Sequence, residues 1–163
     1  MIKLLSDLKT DNLINSLRDF SWEAAEIMNH YSQKMKNINN DSKFVKFKND
    51  DEPVTIADLE VNKLIINRIN SEYPDIKWGF LSEENFKEGT YQHLDHEWLW
   101  VLDPLDGTKD FIQGTGNYAM HLALNYRNKP FIGVVLIPER NELWISNGKY
   151  LSCENKSGQQ KNI

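Results

Sequence analysis

Four carboxylates stand out for where they fall. Glu83 and Glu84 come just after an apolar stretch over 76–81, and Asp103 and Asp106, about twenty residues later, follow the unbroken apolar run Trp98-Leu99-Trp100-Val101-Leu102. A fifth acid, Asp58, stands at the start of a helical pattern. Acids delivered by strand ends can converge in a cleft. There their repulsion is relieved only by bound protons or a cation, and an all-oxygen donor set selects a hard divalent ion such as Mg²⁺. The same residues carry a plainer reading: Asp103-Pro104 and Asp106-Gly107 are ordinary turn dipeptides, and Glu83-Glu84 suits a solvated loop. Spacing alone leaves both open.

The elements that would position these acids are legible from periodicity. Leu13, Leu17, Phe20, Ala24, Met28, Tyr31 and Met35 recur at three-and-four spacing, predicting a long amphipathic helix. Thr55-Ile56-Ala57-Asp58 has the form of a capping box after Pro53, predicting a second helix from near Ala57 with Val61, Leu64, Ile65 and Ile69 on one face. Strands are predicted over 76–81, 98–102, 118–126, 130–137, 143–146 and 149–153. Turns are read at Arg127-Asn128-Lys129 and Pro138-Glu139-Arg140-Asn141, with a type I′ hairpin at Asn147-Gly148. The fold class is α+β: two N-terminal helices packed on a mainly antiparallel sheet. Residues 1–153 read as one domain and 154–163, almost without apolar residues, as a flexible tail.

Composition removes several function classes. At 163 residues the chain is one domain of ordinary size, and 19 Lys+Arg against 24 Asp+Glu, a formal charge of −5, gives no basic footprint for a nucleic acid polymer or an anionic membrane. Five Trp, six Tyr and seven Phe within a 40% hydrophobic share exclude intrinsic disorder. The longest apolar run, over 131–137, is far too short to span a bilayer, and the N-terminus meets Asp7 and Asp11 without an export-type apolar core. The single cysteine, Cys153, has no intramolecular partner, so the expected setting is cytoplasmic.

The run Asp103-Pro104-Leu105-Asp106-Gly107-Thr108, with Ser82-Glu83-Glu84 and Pro53-Val54-Thr55-Ile56-Ala57-Asp58 upstream, resembles the inositol monophosphatase superfamily of Mg²⁺-dependent, lithium-sensitive phosphatases. Lys109 directly after Asp-Gly-Thr, and the run 116–124, look most like its 3′(2′),5′-bisphosphate nucleotidase branch, with inositol-phosphate phosphatases as the alternative. The resemblance implies roles residue by residue. Glu83, Asp103 and the backbone carbonyl of Leu105 would hold one Mg²⁺, and Asp103 would bridge to a second held also by Asp106. Asp58 and Thr108, with Glu83 sharing the task, would orient and deprotonate the attacking water; Glu84 would support the ligands or hold an additional ion. The amides of Gly107 and Thr108 would meet phosphate, and Lys43 to Asp51 matches a loop that closes over the site.

The implied partner is a small phosphorylated metabolite. Members of that family run longer, adding an α/β domain whose Trp-Asp motif supplies a third aspartate to the second ion. No Trp here is followed by Asp, since Trp22 precedes Glu23 on the first helix. The chain therefore reads as the first half of the layered sugar-phosphatase fold, without the C-terminal α/β domain. It is expected to self-associate or to need a complementary C-terminal half, with Trp98, Trp100 and 131–137 on the uncovered surface; a non-catalytic metal-binding domain is the competing reading.

Three other signals lead elsewhere. A covalent phosphatase of the haloacid dehalogenase type needs Asp-x-Asp, whereas the spacing here is Asp-x-x-Asp. Gly114-Thr115-Gly116-Asn117-Tyr118-Ala119 fits a dinucleotide fingerprint in letters but precedes a strand, so it reads as a turn. His93 and His96 flank Asp95 without a third zinc-type ligand and read as surface residues, and His30 and His121 as packing or surface residues.

Overall fold

The computed structural model describes residues 10–37, 45–47, 53–87 and 96–161. Helix α1 (Thr10–Asn37) buries Leu13, Leu17, Phe20, Ala24 and Met28, the predicted stripe, against the core. A short antiparallel pair, β1 (Val45–Phe47) and β2 (Pro53–Thr55), leads into α2 (Ile56–Glu72). The capping box forms as read: the Asp58 carboxylate accepts from the Thr55 amide (2.9 Å) and hydroxyl (2.6 Å). α1 packs along α2, and α2 lies on the sheet, burying Ala57, Val61, Ile65 and Ile69.

That sheet has six strands in the order β3-β4-β5-β6-β7-β8. They are β3 (Gly79–Ser82), β4 (Trp98–Asp106), β5 (Ala119–Tyr126), β6 (Lys129–Ile137), β7 (Glu142–Ser146) and β8 (Leu151–Glu154). Only β3 and β4 run parallel; every other neighbouring pair is antiparallel. Short helices α3 (Glu83–Lys87) and α4 (Thr108–Gln113) follow directly on β3 and β4. The result is the predicted α+β architecture, helices on one face of a mainly antiparallel sheet. None of the helices among the described residues is long and apolar enough to cross a membrane.

Several local expectations change. The tight two-residue hairpin lies at Arg127-Asn128, both with positive φ (46° and 61°), because Tyr126 pairs with Lys129. Around Asn147-Gly148 the loop is longer, and the Asn147 side chain accepts from the amides of Lys149 and Tyr150. The tail expected from 154 is tied down as far as Lys161, whose amide donates to the Cys153 carbonyl (2.8 Å). Buried Glu154 accepts from Arg18 on α1 and from Gln160, so polar composition there serves a turn and an ion pair.

Trp98 and Trp100 are also misplaced by the sequence reading. Both lie under the helices, in an aromatic cluster with Trp78 and Tyr126. The face left open is the opposite one, a shallow groove of about 380 Å³ along Val101, Ala123, Val135 and Trp144 that reaches Asp103 and His121. Strand alternation sends Trp98, Trp100 and Leu102 one way and Leu99 and Val101 the other, and the two α-helices cover the aromatic side.

Candidate metal and phosphate site

Because β3 and β4 are parallel and Ser82 pairs with Leu102, β3 ends beside Asp103 of β4. Glu83 therefore starts α3 next to Asp103. The Asp103 carboxyl is pushed up to about 7, first by burial, then by its neighbour Glu83 and by the charge of Asp106. The Leu105 amide donates to Asp103 Oδ1 (3.2 Å) and partly offsets this.

Asp106 shares the face of Asp103 for a reason that spacing conceals. In a regular strand, residues three apart point to opposite faces. Here the register slips: Asp103 pairs with His121 but Asp106 with Ala119, two intervening residues on β4 facing one on β5. The bulge buries Pro104 and Leu105 consecutively and returns Asp106 to the outer face. There Asp106 Oδ2 lies 3.9 Å from His121 Nδ1, the two side chains 60% and 45% exposed.

A second pair forms across the helix starts. Thr108 Oγ1 lies 3.3 Å from Asp58 Oδ1 and 3.1 Å from the Leu105 carbonyl. Asp58 is almost fully buried, and burial raises its carboxyl to about 6 against the lowering bonds from Thr55; nearby Glu84, itself buried, raises it further. A carboxyl poised near 6 is suited to taking a proton at neutral pH. Glu84 thus stands with Asp58, and Glu83 with Asp103.

Gly107 links these pairs. It takes a left-handed conformation (φ 83°), and a Cβ there would stand 2.5 Å from the Asn117 carbonyl. The 114–118 segment thereby closes against the turn, held by the Tyr118 hydroxyl donating to Glu139 (3.2 Å). Gly114 and Gly116 are turn residues before β5, not a dinucleotide loop. Thr108 opens α4, so its first-turn amides lack intrahelical carbonyl partners and can meet an anion.

The donor set of Glu83, Asp103, Asp106 and the Leu105 carbonyl is all oxygen and carries excess negative charge, which fits a hard divalent cation. Among the described residues no three His, Cys, Asp or Glu side chains form a ready metal cage. Of the closing loop expected at 43–51, only β1 is described; the remainder lies outside the described residues, as do His93 and Asp95. His96 packs over Gly79, whose added Cβ would meet its ring at 2.6 Å, consistent with a packing role. His121 lies exposed on β5, in keeping with the surface reading, as the register partner of Asp103.

The inositol monophosphatase family model matches residues 9–162. The 3′(2′),5′-bisphosphate nucleotidase CysQ of Salmonella typhimurium is 41% identical over 92 residues, covering 56% of this chain and 36% of that protein. CysQ of Haemophilus influenzae is 28% identical over 128 residues, covering 78% of this chain and 44% of that one. The IMPase structure from Thermotoga maritima superposes with a TM-score of 0.70 at 22% identity over 93% of this chain and 54% of its own, a likeness of fold. The chain thus spans less than half the length of these two curated relatives.

Proposed function

Since the chain belongs to the inositol monophosphatase family, we propose that it is the metal- and phosphate-binding part of a Mg²⁺-dependent phosphomonoesterase acting on a small phosphorylated metabolite. The observation that carries this reading is the meeting of a carboxyl pair, Glu83 with Asp103, and a carboxyl–hydroxyl pair, Asp58 with Thr108. Glu83, Asp103, Asp106 and the Leu105 carbonyl would hold the cation. When bound, such ions lower the pKa of water and neutralise charge on a departing phosphate oxygen.

The chain's own residues divide the remaining tasks. Thr108, bonded to Asp58, orients a water through its hydroxyl, and Asp58 accepts the proton. The first-turn amides at Gly107 and Thr108 hold phosphate oxygens, in a turn that only glycine can form beside Asn117. The preferred substrate is adenosine 3′,5′-bisphosphate, hydrolysed to AMP and phosphate, a reading supported by Lys109 after Asp-Gly-Thr and by the CysQ relatives. Inositol phosphates are the competing class.

The groove along Val101, Ala123, Val135 and Trp144 is where a complementary half, or a second copy, would pack. The 163-residue chain by itself is therefore expected to bind cation and phosphate but turn over slowly. The test is a panel of phosphomonoesters with Mg²⁺, with and without Li⁺, on the chain alone and mixed with the C-terminal half of a bisphosphate nucleotidase. Turnover that favours inositol phosphate overturns the substrate assignment. Loss of neither cation binding nor turnover in Asp103→Asn removes the site.

A further inference from the structure

We infer that residues 155–161 form a strap closing the outer edge of β8, and that releasing the strap lets β8 pair, antiparallel and edge to edge, with β8 of a second copy of this chain. β8 ends the sheet, with β7 on one side of it. An end strand offers unpaired N–H and C=O groups to any other strand, and a covering loop is one way a fold withholds them. Here the chain itself turns back to do so. Lys161 donates its amide to the Cys153 carbonyl (2.8 Å) and Asn155 donates to the Gln159 carbonyl (3.1 Å), with Glu154 and Gln160 forming an antiparallel bridge between those bonds. The strap thus lies along Cys153 and Glu154 where a further strand would add.

Two residues shape the turn. Asn155 Oδ1 accepts from the Ser157 amide (3.1 Å), the Ser157 hydroxyl (2.7 Å) and the Gln159 amide (2.9 Å), and Gly158 takes a left-handed φ of 80°. Gln160 fastens the strap to buried Glu154, and Lys156 and Lys161 pair with Glu26 and Glu142. Those lysine pairs are solvated and contribute little, so the turn and its backbone bonds carry the closure. Cys153, at the centre of the contact, is fully buried, whereas Tyr150 and Leu151 just before it stand exposed. What the open edge would present is complementary to itself. The Cys153 carbonyl points to the edge, so the backbone groups of Leu151, two residues back, point there too. A two-fold axis at Ser152 sets Leu151 of each copy against Cys153 of the other, and the stretch Tyr150-Leu151-Ser152-Cys153 carries no charge to repel its twin.

The experiment uses the full 163-residue chain and its single cysteine as reporter. Asn155→Ala and, independently, Gly158→Val should each open the strap, read as labelling of Cys153 by a thiol reagent at least about ten-fold faster, with the circular dichroism of the folded chain retained. Directly paired residues of an antiparallel edge stand about 5.5 Å apart at Cα, within disulfide reach. Leu151→Cys combined with Asn155→Ala should therefore yield, on mild oxidation, a dimer linked between position 151 and Cys153 of the other copy, and Leu151→Cys alone at least about ten-fold less of it. Labelling unchanged in both strap variants shows that the strap does not hold the edge. Equal dimer yield without Asn155→Ala shows that it does not block pairing, and faster labelling without the link shows that the open edge takes no second copy. Each of these results overturns the inference, and none of them bears on the cation site.

Discussion

The two ends of β4 behave as different materials. From Trp98 to Leu102 the strand alternates regularly, its large side chains buried beneath the helices and packed against Trp78, Tyr126 and Phe131. From Asp103 to Asp106 the alternation breaks, the strand bulges, and carboxylates crowd together with one raised to about 7. Stability is concentrated at one end and chemistry at the other. A strand fixed by packed aromatic rings tolerates, a few residues on, the unpaired backbone and charge repulsion that a cation site requires.

Breaking the aromatic end should have the largest effect. Trp100 is fully buried, and Trp100→Ala is expected to cost about 3–5 kcal/mol in urea unfolding. A loss below about 1 kcal/mol would mean that this end does not anchor the strand. At the other end, Gly107→Ala forces a side chain into a left-handed turn against the Asn117 carbonyl. The expected loss is about 1–3 kcal/mol, accompanied by weaker inorganic phosphate binding by calorimetry. Unchanged phosphate affinity would separate the turn from the anion site.

Asp103→Asn sharpens the contrast, because its two consequences oppose each other. Cation affinity should fall more than about ten-fold, while the metal-free variant should melt above the wild type at pH 7.5, since a repelling carboxylate is gone. A lower melting point in EDTA would show that Asp103 is a structural asset rather than a strained ligand.

The smallest effect is the pH dependence of the metal-free wild type. Asp58 and Asp103 hold their protons more tightly folded, at about 6 and about 7, than at the ordinary value of 3.8. Their stabilising share is whole below 3.8 and is lost as pH rises through those folded values. Between about pH 5 and 7.5, thermal stability in EDTA should therefore decline, less steeply in Asp103→Asn, and saturating Mg²⁺ should flatten the curve. A rise over that range would contradict the crowding of carboxyls on which the site depends.

Much of this molecule is written in short-range pattern. The apolar stripe of α1, the Thr55–Asp58 cap and the apolar segments of the sheet depend on neighbours within one or two turns of chain, so periodicity suffices to read them. The acids at the ends of β3 and β4 are visible for the same reason. What they meet is not local. Asp103 and Asp106, three apart, would face opposite sides of a regular strand, and only the bulge opposite β5 puts them together. Glu83 meets Asp103 because β3 happens to run parallel to β4, and His121 stands opposite Asp103 through a register set by the hairpin at Arg127-Asn128. Helix and strand follow from the chain's own period, whereas register, strand direction and bulge position are settled by which partner strand and which core face win the packing.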